Sequence, residues 1–266
     1  MTDLLTPRSG RVKAARKLTR RRDRVEHRLF LAEGAKAVTE ALLVEDCLVE
    51  VFATPAATAS YDGLREAVTA RGRPWQPASA EAVAALSGTV TPQGIVAVCR
   101  FLDVPLEEVL GAAGFLAVCA DVRDPGNAGT IIRTADAAGA AGVVLAGNSV
   151  DVYNDKAVRA TVGSLFHLPL ALAGDPAAAV GALRSRGWTV LAADGAGECG
   201  LFDAATEELL GGQVAWLFGN EAWGLPDELA ALADHRVAIP LLGRAESLNL
   251  ATAAAVCLYA TARARR

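Results

Sequence analysis

Three short stretches of this 266-residue chain place polar side chains where a ligand would need them. The first is Asp121-Val122-Arg123-Asp124-Pro125-Gly126-Asn127, continuing through Ala128-Gly129-Thr130-Ile131-Ile132-Arg133. It leaves an apolar run and opens a helix, a geometry in which backbone N–H groups and the helix dipole favour an anion. Arg133 follows Asn127 by six residues, among Ile and Ala; it is either a surface arginine or a cation directed at such an anion. The second is Leu217-Phe218-Gly219-Asn220-Glu221-Ala222-Trp223-Gly224-Leu225-Pro226, where Gly219 would let a ligand approach the backbone. The third enters through Ile239-Pro240-Leu241 and reaches Ser247-Leu248-Asn249. Ser247 is the expected N-cap of a helix over 247–259 that is apolar on nearly every face, hence buried in a core or at a subunit interface. Asn249 would carry an amide into that buried region, where leaving it unpaired costs about 1–3 kcal/mol. A capping role and a ligand both answer that need. No stretch has the glycine fingerprint of a dinucleotide site or a P-loop, so those modes of nucleotide binding are not supported.

The elements that must position these loops alternate. Helices are predicted over 9–22, 33–43, 61–71 and 79–87, and strands over 29–31, 49–52 and 95–99. This is a small α/β unit ending near residue 100, followed by a linker over 101–113. From residue 114 a longer rhythm begins, with strands at 115–121, 142–146, 188–193, 213–218 and 236–240. Helices are predicted between them at 128–139, 176–186 and 226–232. Continuous apolar strands joined by helical crossovers imply a mostly parallel sheet covered on both faces. Its ligands are expected at the strand ends, where all three loops lie.

Charge is unevenly spread. Residues 1–28 hold ten Lys/Arg against three acids, whereas the rest of the chain has sixteen against twenty-seven. A basic segment on an otherwise acidic protein is a footprint for phosphates, its alternative being a solvated helical face. The candidate nucleic-acid contacts are Arg8, Arg11, Lys13, Arg16, Lys17, Arg20, Arg21 and Arg22, with Arg159 further on. Five scattered cysteines without a C-x-x-C pair and only three histidines argue for reduced thiols and no metal site. No apolar run approaches bilayer length and no signal peptide is visible, so a cytoplasmic protein without membrane contact is expected.

Taken in order, N-A-G-T-I-I-R-T-A, L-F-G-N-E-A-W-G-L and I-P-L-L-G-R-A-E-S-L-N-L-A resemble the SpoU/TrmH family of RNA ribose 2′-O-methyltransferases, in the SPOUT superfamily. The similarity covers about 115–262 and includes 156–164; residues 1–100 are more loosely similar to the family's ribosomal-protein-like substrate-binding domain. The resemblance implies an S-adenosyl-L-methionine-dependent enzyme acting on RNA, ribosomal RNA first. It also implies a deep trefoil knot in the 114–266 domain and a homodimer formed through it. By the same analogy Leu217, Gly219, Ile239, Leu241 and Leu248 would contact the cofactor, largely through backbone. Asn127, Arg133, Glu221, Ser247 and Asn249 would form the catalytic surroundings, with Arg133 of one subunit serving the cofactor pocket of the other. Arg133 would act either as general base, which the arginine pKa makes demanding, or as a clamp on the adjacent phosphate and developing oxyanion. Rival readings are a transfer RNA methyltransferase, a non-catalytic RNA-binding protein of the same fold, and a dinucleotide-dependent oxidoreductase that lacks its fingerprint.

Overall fold

A computed structural model describes residues 4–266, so the first three residues of the expected 1–100 domain lie outside the described part. The elements begin with α1 (Gly10–Lys17), α2 (Arg21–His27), β1 (Leu29–Glu33), α3 (Ala35–Leu43), β2 (Leu48–Ala53) and α4 (Pro55–Ser60). They continue with α5 (Asp62–Ala70), β3 (Trp75–Pro77), α6 (Ala80–Ala84), β4 (Ile95–Arg100), α7 (Leu106–Leu110), β5 (Phe115–Ala120) and α8 (Pro125–Ala138). Next come β6 (Gly142–Ala146), α9 (Asp155–Thr161), β7 (Leu170–Ala173), α10 (Pro176–Ser185), β8 (Thr189–Ala193) and β9 (Cys199–Gly200). The chain ends with α11 (Ala204–Leu210), β10 (Val214–Phe218), α12 (Asp227–Ala230), β11 (His235–Ala238) and α13 (Leu250–Ala264).

Two compact units result: Met1–Leu102 with Asp151–Phe166, and Asp103–Val150 with His167–Arg266. The segment 151–166, expected inside the C-terminal domain, therefore packs with the first unit. Its aromatic residues explain why. Tyr153 stacks on Phe101 at 3.8 Å and meets Phe30 at 4.9 Å, while Phe166 lies 6.1 Å from Phe30. Asp151 adds an acceptor for the buried Arg24, whose Nε and Nη2 donate to it at 2.9 and 2.5 Å.

The sheet of the first unit runs β1-β4-β2-β3, with β4 antiparallel to both neighbours and β3 parallel to β2. Val12, Ala15 and Leu18 recur at a helical interval and pack with Leu31, Phe52, Val96 and Val98. This stripe anchors α1 and turns its Lys and Arg outward. The single helix predicted over 9–22 breaks after Lys17, because the Leu18 carbonyl accepts from Arg24 Nη1 (2.9 Å) and Thr19 Oγ1 bonds back to the Arg16 carbonyl.

The second unit is built on a seven-stranded parallel sheet, β7-β6-β5-β10-β8-β11-β9. Each residue of β5, β6 and β10 is buried, as helices on both faces require. Since β5 and β10 are adjacent and parallel, the first two polar loops leave the sheet side by side. Both lie where strand order changes direction, the usual ligand crevice of such sheets.

α13 packs on α8 and is pinned by Trp216, whose indole donates to Thr261 Oγ1 at 2.8 Å. It differs from prediction in two ways. Its N-cap falls two residues late, at Asn249 rather than Ser247, and it has a wet face at Thr252 and Tyr259. Among the described residues no helix is long and apolar enough to cross a membrane.

Candidate functional site

The first loop is set by its cap. Asp124 Oδ1 accepts from Asn127 N at 2.7 Å and Pro125 occupies the first turn, so α8 begins with Asn127 at the edge of the β5 crevice. The second loop is closed by Asn220, which is buried. Its Nδ2 donates to the Asp121 carbonyl at 2.7 Å, its Oδ1 accepts from Ala222 N, and its backbone bridges Gly224 in both directions. Gly219 is required by the loop itself, since a Cβ there would lie 2.3 Å from the Gly224 carbonyl carbon. Sequence reasoning gave Asn220 no role; an amide directly after a strand-ending glycine was the available signal.

The two loops are joined by Glu221. One carboxylate oxygen accepts from Asp124 N (2.9 Å) and Asn127 Nδ2 (3.4 Å), the other from Arg123 N (3.2 Å). Asn127 Oδ1 then accepts from Asn249 Nδ2 at 3.1 Å, and Asn249 Oδ1 takes the N–H groups of Ala251 and Thr252. Glu221, Asn127 and Asn249 thus form one chain of hydrogen bonds linking all three loops. Asn249 is exposed, and this pairing is how its amide is satisfied. The Glu221 charge is felt nearby: burial first, then this carboxylate, push the Cys119 thiol up to about 12.

Beside this network lies a cavity of about 320 Å³. Gly219, Ile239, Leu241, Leu248 and Ser247 line it, together with Glu221, Asp194, Gly195 and Glu246. Leu217, expected to contact a cofactor, instead belongs to the buried core beneath and does not line the cavity. Asp194 was not anticipated. Burial would raise its pKa, but the Ala196 N–H and the Arg236 guanidinium, 2.5 Å away, bring it below the ordinary carboxylate value.

Arg133 stands apart. It lies on α8 about 240° around the helix from Asn127, is exposed, and bonds to none of the described residues. Among the candidate RNA contacts, Arg8, Lys13, Arg16, Lys17, Arg20 and Arg21 are exposed. Arg11 pairs with Glu50 (3.1 Å) and Arg22 lies 3.9 Å from Asp23. Arg159 is held by Asp155 at 3.0 Å and approaches Glu33 at 3.8 Å. Donor atoms of Glu198, Cys199 and His235 come within 4.8 Å of one another, but Glu198 already accepts from Arg236 N at 3.0 Å.

Residues 114–259 match the SpoU rRNA Methylase family. The chain belongs to it. Residues 10–97 match the MRM3-like substrate binding domain, so both parts of this SpoU protein have counterparts. A Bacillus subtilis relative, the 23S rRNA (guanosine(2553)-2′-O)-methyltransferase RlmP, is 34% identical over 97% of this chain and 98% of its own. The crystal structure of an AdoMet-bound rRNA methyltransferase from Sinorhizobium meliloti superposes with a TM-score of 0.85 at 33% identity, covering 98% of this chain and 97% of that one. The SpoU methyltransferase AviRb from Streptomyces viridochromogenes, in complex with AdoMet, gives 0.83 at 30% identity over 96% and 98%.

Proposed function

We propose that this SpoU protein transfers a methyl group from S-adenosylmethionine to a ribose 2′-hydroxyl of ribosomal RNA. The carrying observation is the Glu221–Asn127–Asn249 chain, which ties the three loops together beside the cavity. Relatives named as 23S rRNA 2′-O-methyltransferases, and neighbours solved with the cofactor, support the reading. The cavity residues fit the cofactor: Gly219 and Gly195 offer backbone, Ile239, Leu241 and Leu248 an apolar wall, and Asp194, Glu221 and Glu246 negative charge toward a cation.

When bound, S-adenosylmethionine supplies a methyl already activated as a sulfonium. The chain must then orient the hydroxyl in line with it and stabilise the oxygen as it loses its proton. Arg133 does this as a clamp, forking onto the neighbouring phosphate. Asn249 is a poor proton acceptor, because its oxygen is committed to two backbone amides and its NH₂ to Asn127. The proton therefore leaves to solvent, and Asn249 is a positioning residue. Ser247 lines the cavity and bonds there to none of the described residues.

Since Arg133 points away from its own chain's network, it serves the cavity of a second copy in a homodimer. The exposed face of α13, with Tyr259, belongs to that interface. Residues 103–150 with 167–266 form the catalytic unit, knotted near the C-terminus as in SPOUT enzymes, and the first unit receives RNA through α1 and α2. The protein works in the cytoplasm, alongside its ribosomal RNA substrate.

The test is calorimetric binding of S-adenosylmethionine with mapping of 2′-O-methyl sites on ribosomal RNA incubated with the protein. Binding and one new methylated ribose are expected. Failure to bind the cofactor, or methylation on a base, would overturn the reading.

A further inference from the structure

Trp223 sits at the tip of the loop that Asn220 closes, between Ala222 and Gly224, both of which line the cavity. It is 52% exposed, an unusual fate for an indole, and its N–H donates to none of the described residues. The Arg123 guanidinium lies 5.0 Å from the ring centroid. That guanidinium has no carboxylate partner among the described residues, although nine other arginines and a histidine do. Among the described residues, the other exposed aromatics, Phe202 and Tyr259, have no cation over their rings.

Both residues are held at the base and open at the tip. Arg123 N donates to Glu221 Oε2, so its backbone is part of the polar network while its side chain is free of it. Gly224, at φ +70°, turns the chain immediately after Trp223. A flat apolar face, an indole N–H and an unneutralised fork of N–H donors are thus presented together, one residue from the cavity wall. That combination matches one nucleotide of a single strand: the base stacks on the indole and the phosphate meets the guanidinium.

We propose that Trp223 and Arg123 form a nucleotide subsite that holds the RNA beside the reacting ribose; this rests on the RNA methyltransferase reading above. The subsite takes an unpaired nucleotide and discriminates weakly among bases, since every base offers a π-face. It selects for substrates whose target lies in a loop or bulge, where a base is free to leave its stack.

The experiment compares wild type, Trp223→Ala, Trp223→Phe and Arg123→Ala, using ribosomal RNA that lacks the modification. Steady-state methylation is measured at several salt concentrations, with S-adenosylmethionine affinity and sedimentation as parallel readouts. Trp223→Ala should raise the RNA KM about tenfold, and Trp223→Phe should restore most of the loss, as expected for stacking. Arg123→Ala should raise KM less and reduce the salt slope by about one counterion's share, because it loses a phosphate contact but keeps its backbone bond to Glu221. Cofactor affinity and sedimentation should not move. An unchanged KM for Trp223→Ala overturns the subsite. So does a KM change that follows a shift in sedimentation, which would assign Trp223 to a contact between two copies. A wild type that methylates no ribosomal RNA overturns the functional reading itself, and the subsite with it.

Discussion

In the N-terminal unit, cations stand on α1 because apolar residues beneath them hold the helix; in the C-terminal unit, polar residues stand where they do because they hold one another. Val12, Ala15 and Leu18 fix α1 to its sheet, yet Lys13, Arg16 and Lys17 end in solvent. Glu221, Asn127 and Asn249 are each hydrogen-bonded, and four backbone N–H groups are spent on two of them before any ligand arrives. The first arrangement suits a partner whose charge matters more than its shape. The second suits a reaction in which a misplacement of a fraction of an ångström is felt in the rate. Charge can be delivered by flexible side chains, whereas geometry needs side chains already committed.

The comparison is broken most severely at Arg24, which by composition belongs with the surface cations. Its guanidinium is buried against Asp151 and the Leu18 carbonyl. Arg24→Ala leaves Asp151 without its partner and should destabilise the first unit by about 3–5 kcal/mol. Urea unfolding followed by the fluorescence of Trp75 reads this. A loss under 1 kcal/mol would show that the pair is dispensable.

Next in size is Arg133, the charged catalytic candidate outside the network. Arg133→Ala should lower turnover about 10²–10³-fold, in the range for removing one preorganised donor, while cofactor affinity stays nearly intact. Arg133→Lys should keep measurable activity with a raised RNA KM. Single-turnover rates against pH decide the role: an alkaline limb that moves down in the lysine variant would mean a general base and end the clamp assignment.

Glu221→Gln sharpens the contrast from the other side. It removes charge from hydrogen bonds worth about 1.5–3 kcal/mol each when one partner is ionised. Cofactor affinity should fall about tenfold or more as the loops separate. Calorimetry of the variant measures it, and an unchanged affinity would deny that Glu221 organises the cavity. Smallest is the pair Lys13→Ala and Lys17→Ala, which should each flatten the salt dependence of RNA binding by about 0.7–0.9 in logarithmic slope. Filter binding at several salt concentrations tests this, with the unfolding midpoint expected to stay put.

The three chemical loops were legible in the sequence because each is local: a strand end, a turn and a helix start lie within a dozen residues. The family patterns added their order. Ser247 was mistaken for the cap of α13 because Ser and Asn are equally good caps, and only the Asn249–Asn127 pairing across the fold chooses between them. Arg24 could not be told from Arg22 by charge or spacing, since its partner Asp151 is 127 residues away. β3, α4, α9, β7, β9 and α11 are not predicted, being two to seven residues long and too short to show a period. Packing 151–166 into the first unit was invisible for the same reason as Arg24: aromatic pairing across the chain has no local signature.

That segment also sets a timetable. During synthesis the N-terminal unit is not complete when residue 102 leaves the ribosome, because Tyr153, Phe166 and Asp151 have yet to be made. At about 5–20 residues per second, roughly 3–13 seconds separate the two events. Through that interval Phe30 and Phe101 wait without Tyr153 and Phe166, and the Arg24 guanidinium without Asp151, while β5, α8 and β6 emerge. The nascent chain is thus most open to misassociation midway through translation, and a pause placed before residue 150 would prolong it.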